Sequence, residues 1–336
     1  MGSHFSRTYS KSILYKLLGV LSALFMCIPS CSKEELIWEE LLAVLPDTST
    51  VVIVPPAPTP DPSVDDPAPF SQYSALSFLH QSAAVYGDYL FLIKAGRSSI
   101  CMFDLANKQD IYTLSLRGEN QSIYHCNQSS FGGEKYDSLD VFPPLYVSQR
   151  PKSGNRCFVE VFRIIPGYGE DSLSVNSFKI ELIQQIFMPP MTKDNSLGSV
   201  NCVVDPDHGW LYTYSRNDVK EDDNYGQCKI SRFAVPDVHR KIVDLSDADI
   251  ESSFMINTSA VYMQGGCLVG DLLMIGQGGP GLGFTCLNVI DLKKRELICQ
   301  IDLLALGFKW EPEGCFYYDG SVMISHSTSI DMIKYQ

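Results

Sequence analysis

Short apolar runs separated by turn residues fill the chain between residues 262 and 302. Runs at 272–275, 284–292 and 296–302 each have the length of a strand, and a Gly-Asp pair, a Gly-rich stretch and a Lys-Lys pair mark their boundaries. Gly and Asp adopt turn conformations that strand residues resist, so the pattern predicts three or four antiparallel strands joined by hairpins. Such a meander is typical of one blade of a β-propeller.

The same order of residues recurs at three places in the chain. Gln81 and Gln264 each lie six residues before a Gly-Asp turn and an apolar run, and Glu313 lies six residues before an Asp-Gly turn and another such run. The interval between Gln264 and Glu313 is 49 residues. Self-similarity with a period of roughly 40–50 residues indicates propeller blades rather than a single sandwich.

The opening patterns predict an all-β fold, a β-propeller of five blades over residues 73–336. The second blade begins at His125, the third near Ser199, and three strands are expected after Glu313. A strand at 73–79 is expected to pair with these last strands and close the ring, because closure removes exposed sheet edges. Six blades, or a different all-β sandwich, are alternatives.

Residues 1–30 have the pattern of an export signal. A basic stretch precedes the apolar run 17–28, which is too short to span a bilayer because a spanning helix needs roughly 20 apolar residues. The run ends at Ser30-Cys31, which resembles a bacterial lipoprotein box, although Pro29 fits that box imperfectly. We therefore predict lipidation at Cys31, with a plain secreted protein cut nearby as the alternative.

Residues 31–72 are predicted to be a tether between the lipidated cysteine and the propeller. A short acidic segment follows Cys31, and seven prolines lie between residues 48 and 69. Proline fixes φ and lacks an amide donor, so this part is expected to be extended and mostly unpaired.

The charge of the chain excludes some partners. Without residues 1–30 the chain has 23 Lys and Arg against 39 Asp and Glu, a net charge of −16. This excess of acid argues against nucleic acid and anionic lipid as partners. No segment after the signal is long and apolar enough to cross a membrane, so the lipid is expected to be the only anchor.

Nine cysteines remain after Cys27 and Cys31, and no C-x-x-C pair occurs among them. Zinc and iron-sulfur sites need closely spaced thiolates, so no metal and no cofactor are predicted. Most of these cysteines lie inside apolar strand patterns and are expected to be small buried residues. Spacing alone does not pair any of them in a disulfide.

The first strand of each propeller blade lines the central channel, and its starting residues face one mouth. Polar residues begin several of the predicted blades and are therefore candidates for ligand binding: Gln81, His125, Gln264 and Glu313, with Ser199 or Asn201 in the third blade. The alternative is that they only satisfy backbone groups and ordered water in a narrow channel.

Catalytic motifs are weak. Glu311 and Glu313 flank a proline, which predicts an extended segment with the two carboxylates pointing apart, so a glycosidase would need its second acid from Asp88 or Asp205. The Gly-rich stretch after residue 276 lacks the context of a phosphate loop, and the Asp205-Pro-Asp-His segment is typical of a turn rather than a calcium site. No catalytic residue is predicted.

The segments His125-Cys-Asn, Phe142-Pro-Pro-Leu-Tyr-Val and Glu311-Pro-Glu-Gly, together with the lipoprotein box and Pro-rich spacer, resemble the β-propeller lipoproteins of gut Bacteroidetes. The acidic residues after Cys31 are similar to their signal for export to the outer leaflet of the outer membrane. The resemblance implies a cell-surface or periplasmic protein of the cell envelope, in glycan or nutrient handling, and it implies no reaction.

These expectations combine into one functional hypothesis. The propeller is predicted to bind a carbohydrate or protein ligand at its channel mouth without catalysis, held to the membrane by its lipid. A polysaccharide hydrolase or lyase that uses the same mouth is the alternative.

Overall fold

The computed structural model describes the following residues: 51–53, 80–94, 99–106, 109–115, 125–150, 156–168, 173–190, 200–217, 220, 222–260, 262–308, 310–326 and 329–332. All of them fall in one compact unit, Ser49–Met332. The predicted signal peptide, Cys31, Ser199 and the predicted closing strand at 73–79 lie outside the described residues.

The described strands form five sheets. The first sheet contains β2 (His80–Tyr86), β3 (Tyr89–Lys94), β4 (Ser99–Asp104) and β5 (Gln109–Ser115). The second contains β6 (His125–Phe131), β7 (Leu145–Arg150), β8 (Phe158–Tyr168) and β9 (Leu173–Phe187), with β13 (Ile242–Asp244) added in parallel beside β9.

The remaining sheets follow the same plan. The third contains β10 (Asn201–Asp205), β11 (Trp210–Arg216), β12 (Gln227–Ala234) and β14 (Ser252–Ser259). The fourth contains β15 (Met263–Val269), β16 (Leu272–Gly279), β17 (Phe284–Asp291) and β18 (Glu296–Asp302). The fifth contains β19 (Gly314–Tyr318), β20 (Ser321–His326) and β21 (Ser329–Met332). Short 3-10 turns occur at Asp247–Asp249 and Pro280–Leu282.

The first strands of the sheets, β2, β6, β10, β15 and β19, are called the inner strands. Each contacts the inner strand of the next sheet, and β19 also contacts β2. Within each sheet, successive strands pair antiparallel from the inner strand outward. The fold is therefore all-β, with its sheets in a β-propeller arrangement.

The blade count differs from the prediction of five, or alternatively six. Four sheets are complete blades with four or five strands, whereas β19–β21 form a sheet of three. Among the described residues, no fourth strand pairs with the fifth sheet, and β21 is the last described element of the chain. The predicted closure by residues 73–79 falls outside the described part of the chain.

Apolar faces of neighbouring sheets pack against each other and form the core. Phe91 of the first sheet contacts Phe131 and Phe142, with ring centroids 5.0 and 5.3 Å apart in edge-to-face geometry. Similar buried clusters join the second sheet to the third, the third to the fourth, and the fifth to the first. Burial of each large apolar side chain stabilises the fold by about 1.5–3 kcal/mol, so these interfaces hold the sheets in place.

One short strand comes from the predicted tether. β1 (Val51–Ile53) pairs in parallel with β18, at the outer edge of the fourth sheet. Three residues of the predicted tether are therefore hydrogen-bonded; they precede the prolines and keep all their amide donors. The Pro-rich part, which is expected to be mostly unpaired, lies outside the described residues.

Within the described ranges, no helix has the length and apolar composition needed to cross a membrane.

Candidate functional site

The starting ends of the inner strands form one mouth of the propeller, and three of these strands are irregular there. The pairing register shifts between His80 and Ser82 in β2, between Cys126 and Gln128 in β6, and between Met263 and Gly266 in β15. A β-bulge bends its strand and redirects the side chain of the extra residue. At these bulges the extra residues do not take part in the regular strand pairing, so their side chains can point away from the sheet.

Gln81, Gln264 and Glu313 come together at this mouth. Gln81 is the extra residue of the β2 bulge, and its side chain hydrogen-bonds the carboxyl of Glu313, directly before β19. Gln264 lies in the β15 bulge and donates from Nε2 to Oε1 of Glu311. The first, fourth and fifth sheets thus each contribute to one group of side chains, Gln81, Gln264, Glu311 and Glu313, called here the carboxylate cluster.

The two carboxylates belong to one site, contrary to the expectation that the segment is extended. The amide of Glu313 donates to the carbonyl of Glu311 at 3.0 Å, which closes a tight three-residue turn around Pro312. The φ angle fixed by proline suits such a turn. Because the chain turns here, the charge of Glu311 acts directly on Glu313.

Glu313 is the most perturbed acid of the cluster. Its side chain is only 5% exposed, and its Oε2 atom has no hydrogen-bond partner among the described residues. Burial, and then the neighbouring charge of Glu311, raise its pKa to about 8, against the opposing hydrogen bond from Gln81. Glu313 is therefore mostly protonated at neutral pH.

Glu311 is half-buried and has a different balance of effects. Burial raises its pKa, and the hydrogen bond from Gln264 opposes that rise. Among the described residues, no lysine or arginine forms an ion pair with Glu311 or Glu313. The cluster therefore contains two carboxyl groups without a compensating positive charge.

The third sheet reaches the same mouth through Asn201. This residue begins β10, is 2% exposed, and donates from Nδ2 to the carbonyls of Met263 and Gln264 at 3.3 and 3.4 Å. Its Oδ1 atom has no hydrogen-bond partner within the described structure. Of the two candidates in the third blade, Asn201 is thus placed beside Gln264, whereas Ser199 lies outside the described residues.

The second sheet begins at His125, whose backbone pairs with Arg150. The bulge of β6, however, lies at Asn127, which therefore occupies the position that Gln81 occupies in β2. Sequence spacing could not reveal that Asn127, rather than His125, is the position equivalent to Gln81, because a bulge inserts one residue without changing the polar pattern around it.

Below the mouth, the side chain of Gln128 bridges two inner strands. Its Nε2 atom donates to the carbonyl of Gly266 at 2.6 Å, and its Oε1 atom accepts from the Gly266 amide at 3.1 Å. These residues belong to the second and fourth sheets, which are not neighbours in sequence order around the ring. The buried amide therefore spans the axis between them.

Exposed aromatic side chains lie around the hairpin between β16 and β17, beside the carboxylate cluster. The amide of Gly278 donates to the carbonyl of Tyr262 at 3.0 Å, and the backbone of Gly279 lies against the side chain of Glu311. Tyr262 and Phe284, which pairs with Gly279, are both exposed. Trp310, directly before Glu311, is 52% exposed and stacks on His326 with ring centroids 5.2 Å apart.

The other acids considered from the sequence lie elsewhere. Asp88 follows the end of β2 and Asp205 is the last residue of β10, so both stand at the opposite end of the inner strands from Glu313. Asp88 accepts a hydrogen bond from Tyr318, and Asp205 accepts from the amides of Asp207 and His208 within its own turn. Neither is placed to act as a second acid with Glu313.

Within the described residues, no three His, Cys, Asp or Glu side chains form a group that could hold a metal ion.

No family model matches the chain, and no curated protein matches its sequence. Similar solved structures include glutaminyl cyclase from Myxococcus xanthus, at 10% identity and a TM-score of 0.44 over 77% of this chain and 93% of that one. Hydrazine synthase from Kuenenia stuttgartiensis matches at 10% identity and a TM-score of 0.40, covering 76% and 83% of the two chains. A protein of unknown function from Bacteroides caccae matches at 6% identity and a TM-score of 0.38, covering 74% and 70%. Each TM-score is below 0.5, so these likenesses carry no argument about function.

Proposed function

We propose that this chain is a cell-envelope lipoprotein that binds a carbohydrate, without catalysis, at the mouth formed by the inner strands. The lipid on Cys31 holds it in the outer membrane with the propeller exposed at the cell surface. The observation that carries the proposal is the buried Glu313 carboxyl, whose Oε2 atom has no hydrogen-bond partner in the described part of the chain, three residues after the exposed Trp310.

Carbohydrates suit the chemistry of this mouth. Sugar hydroxyls both donate and accept hydrogen bonds, so they can pair with the protonated carboxyl of Glu313 and with the acceptor Oδ1 of Asn201. Oε2 of Glu313 and Oδ1 of Asn201 have no hydrogen-bond partner among the described residues and cost free energy when left unsatisfied. The apolar face of a pyranose packs well on an aromatic ring, and Trp310 presents its ring to solvent while His326 supports it from behind. A few polar groups beside aromatic side chains are typical of small-ligand sites.

The proposal is tested by binding of the purified full-length protein to a glycan array, followed by calorimetry with the best ligand. Replacing both Gln264 and Glu313 by alanine is expected to weaken binding at least tenfold, because two sheets lose their polar contributions to the mouth. Asp207→Ala, an exposed position at the opposite end of β10, is the matched control and should bind like wild type. If no glycan binds, or if the double variant binds equally well, the carbohydrate proposal is wrong; binding of a protein from intact cells that the double variant loses would assign a protein ligand instead.

The membrane anchor has a separate test. Expression in cells fed a clickable palmitate analogue should label the wild-type protein and not Cys31→Ala, and the variant should move to the soluble fraction. Equal labelling of the two proteins would remove Cys31 as the lipidation site.

A polysaccharide hydrolase or lyase is the second candidate, and one observation favours it. Glu313 holds its proton at neutral pH beside Glu311, and a protonated carboxyl next to a second carboxyl is the arrangement that general acid catalysis uses. Release of reducing ends or unsaturated products from a panel of polysaccharides should then fall at least 100-fold in Glu313→Gln, with binding retained. Unchanged turnover in that variant would remove Glu313 from the mechanism.

A further inference from the structure

Two thiols on neighbouring inner strands face each other behind the mouth. Sγ of Cys267 in β15 lies 3.3 Å from Sγ of Cys315 in β19. Cys267 is partly exposed, and Cys315 is buried. A disulfide bond is about 2.0 Å long, so the two sulfur atoms need to approach by only about 1.3 Å to become bonded.

The backbones of the two strands are already close at this level. The amide of Gly265 donates to the carbonyl of Glu313 at 3.2 Å. A Cβ atom on Gly265 would lie 2.5 Å from the Cα atom of Gly314, so only glycine permits this approach. The two strands therefore already lie close together next to the cysteines, and we expect a small approach of the sulfur atoms to be enough for a bond.

Other cysteines use their sulfur atoms differently. Sγ of Cys126 points to Oε1 of Gln149 at 3.5 Å, and Sγ of Cys286 points to Oε1 of Gln277 at 3.9 Å. Cys286 is partly exposed, as Cys267 is, and belongs to the same sheet. It therefore provides a matched control for exposure without a facing thiol.

We propose that Cys267 and Cys315 are a redox-active pair that forms a disulfide between β15 and β19 in the presence of a small-molecule disulfide oxidant. The more exposed thiolate of Cys267 attacks oxidised glutathione, releases one glutathione thiol and forms a mixed disulfide. The thiolate of Cys315 then attacks Sγ of Cys267 and releases the second glutathione. The two cysteines lose two protons and two electrons, and the oxidant becomes two molecules of reduced glutathione.

The second step is expected to be the slower one. The hydrogen bond with Cys267, and then burial, raise the pKa of Cys315 well above its usual value. Since the thiolate is the nucleophile, closure of the disulfide should accelerate as pH rises.

The cross-link would affect the mouth directly. Cys267 lies three residues after Gln264, and Cys315 lies two residues after Glu313. The bond would therefore fix the polar groups of the fourth and fifth sheets relative to each other. This consequence rests on the proposed function, whereas formation of the disulfide does not.

The test uses folded full-length protein incubated with oxidised glutathione at pH 8. Intact mass is expected to fall by two hydrogens, two thiols should become unreactive to alkylation, and peptide mapping should find Cys267 joined to Cys315. The midpoint of thermal unfolding should rise by roughly 5 °C, because the bond restricts the unfolded chain. Reduction with a dithiol should reverse all four changes.

Cys267→Ser and Cys315→Ser should each abolish the cross-link, and Cys286→Ser should leave it intact. If a serine variant does not fold, alkylation of Cys267 in native wild-type protein before oxidation provides the same test. The proposal is overturned if folded wild-type protein keeps both thiols free, or if it stops at a glutathione adduct on Cys267. Ligand binding is measured separately, so loss of the proposed function would leave the outcome for the disulfide unaffected.

Discussion

Two buried carboxyl groups in this propeller have opposite surroundings. Asp140, 4% exposed, accepts three hydrogen bonds from the guanidinium of Arg163 at 2.7–3.0 Å. That bond network raises the pKa of Arg163. Glu313, 5% exposed, has a second acid beside it and one oxygen without a hydrogen-bond partner among the residues that the structure describes. Burial alone therefore does not fix the electrostatic surroundings of an acid, because the identity of its neighbours differs between the two sites.

The physical reason is the cost of burying charge. A carboxylate removed from water is tolerated when a cation and several donors replace the lost hydration, which is the situation of Asp140. Among the described residues Glu313 has a hydrogen bond from Gln81 but no cation, and burial raises its pKa so that it keeps its proton at neutral pH. A bound ligand that hydrogen-bonds Oε2 would satisfy the atom that has no partner among these residues.

The largest expected effect comes from removing the cation that compensates Asp140. Arg163→Met should destabilise the protein by about 3 kcal/mol, since it leaves a buried carboxylate unpaired. Urea denaturation at pH 7 measures the change. Adding Asp140→Asn to the variant should restore part of the loss, as expected for two residues that interact directly. A single variant as stable as wild type would show that the pair is not structural.

The second effect is a pH dependence that belongs to Glu313. In the unfolded chain its carboxyl ionises near pH 4.5, whereas in the folded protein it keeps the proton up to about pH 8. Between these values the folded state holds one more proton than the unfolded state, so this group makes stability fall as pH rises, by about 1.4 kcal/mol per unit.

Glu313→Gln removes that dependence. Between pH 5 and pH 8, wild type should lose about 3 kcal/mol more stability than the variant does, measured by denaturation at each pH. Glu296→Gln, an exposed position in β18, should follow the wild-type profile. Parallel profiles for Glu313→Gln and wild type would mean that the carboxyl is already ionised in the folded protein.

A smaller effect is expected from the acid beside it. Glu311→Gln removes the negative charge that helps Glu313 hold its proton, so the pKa of Glu313 should fall toward its ordinary value. The gain in stability at pH 8 should be about 1 kcal/mol, the size of a partly screened repulsion. Carbon-13 shifts of the Glu313 carboxyl report its titration directly. If the titration midpoint of Glu313 does not move, the charge of Glu311 does not influence the pKa of Glu313.

The smallest effect is expected at the opposite end of the inner strands. His208 is exposed and contacts Asp205 at 2.9 Å. His208→Ala should change stability by no more than about 0.5 kcal/mol, because solvent screens such a pair and its turn is held by backbone amides. A larger loss of stability, measured by thermal or urea unfolding, would show that the exposure of this pair does not limit its contribution to the free energy of unfolding.

Much of the fold could be predicted from the sequence because the repeating signal is local. Gln81 and Gln264 fall in inner strands, and Glu313 directly precedes one, as the common spacing to a tight turn indicates. Hairpins need particular residues at particular places, and those residues are visible in the chain. The three strands expected after Glu313 are present as β19, β20 and β21. A further strand that joins a sheet from a distant part of the chain is not visible in such local spacing.

The geometry of the mouth required the structure. An X-Pro-X segment ordinarily favours extended backbone, yet Glu311 and Glu313 lie on a turn around Pro312. A Cβ atom on Gly276 would lie 2.9 Å from the Pro312 carbonyl, so contact with the fourth sheet fixes that turn. Tertiary packing of this kind, like the bulge that places Asn127, leaves no periodic trace in the sequence.

The side-chain amide of Gln128 lies below the mouth, between the inner strands of the propeller. Its two hydrogen bonds to Gly266 join the second and fourth sheets, so among the described residues this amide obstructs a straight path from the mouth along the axis. A polymer bound at the mouth is therefore expected to contact it with one end or to lie across it, rather than to pass along the axis.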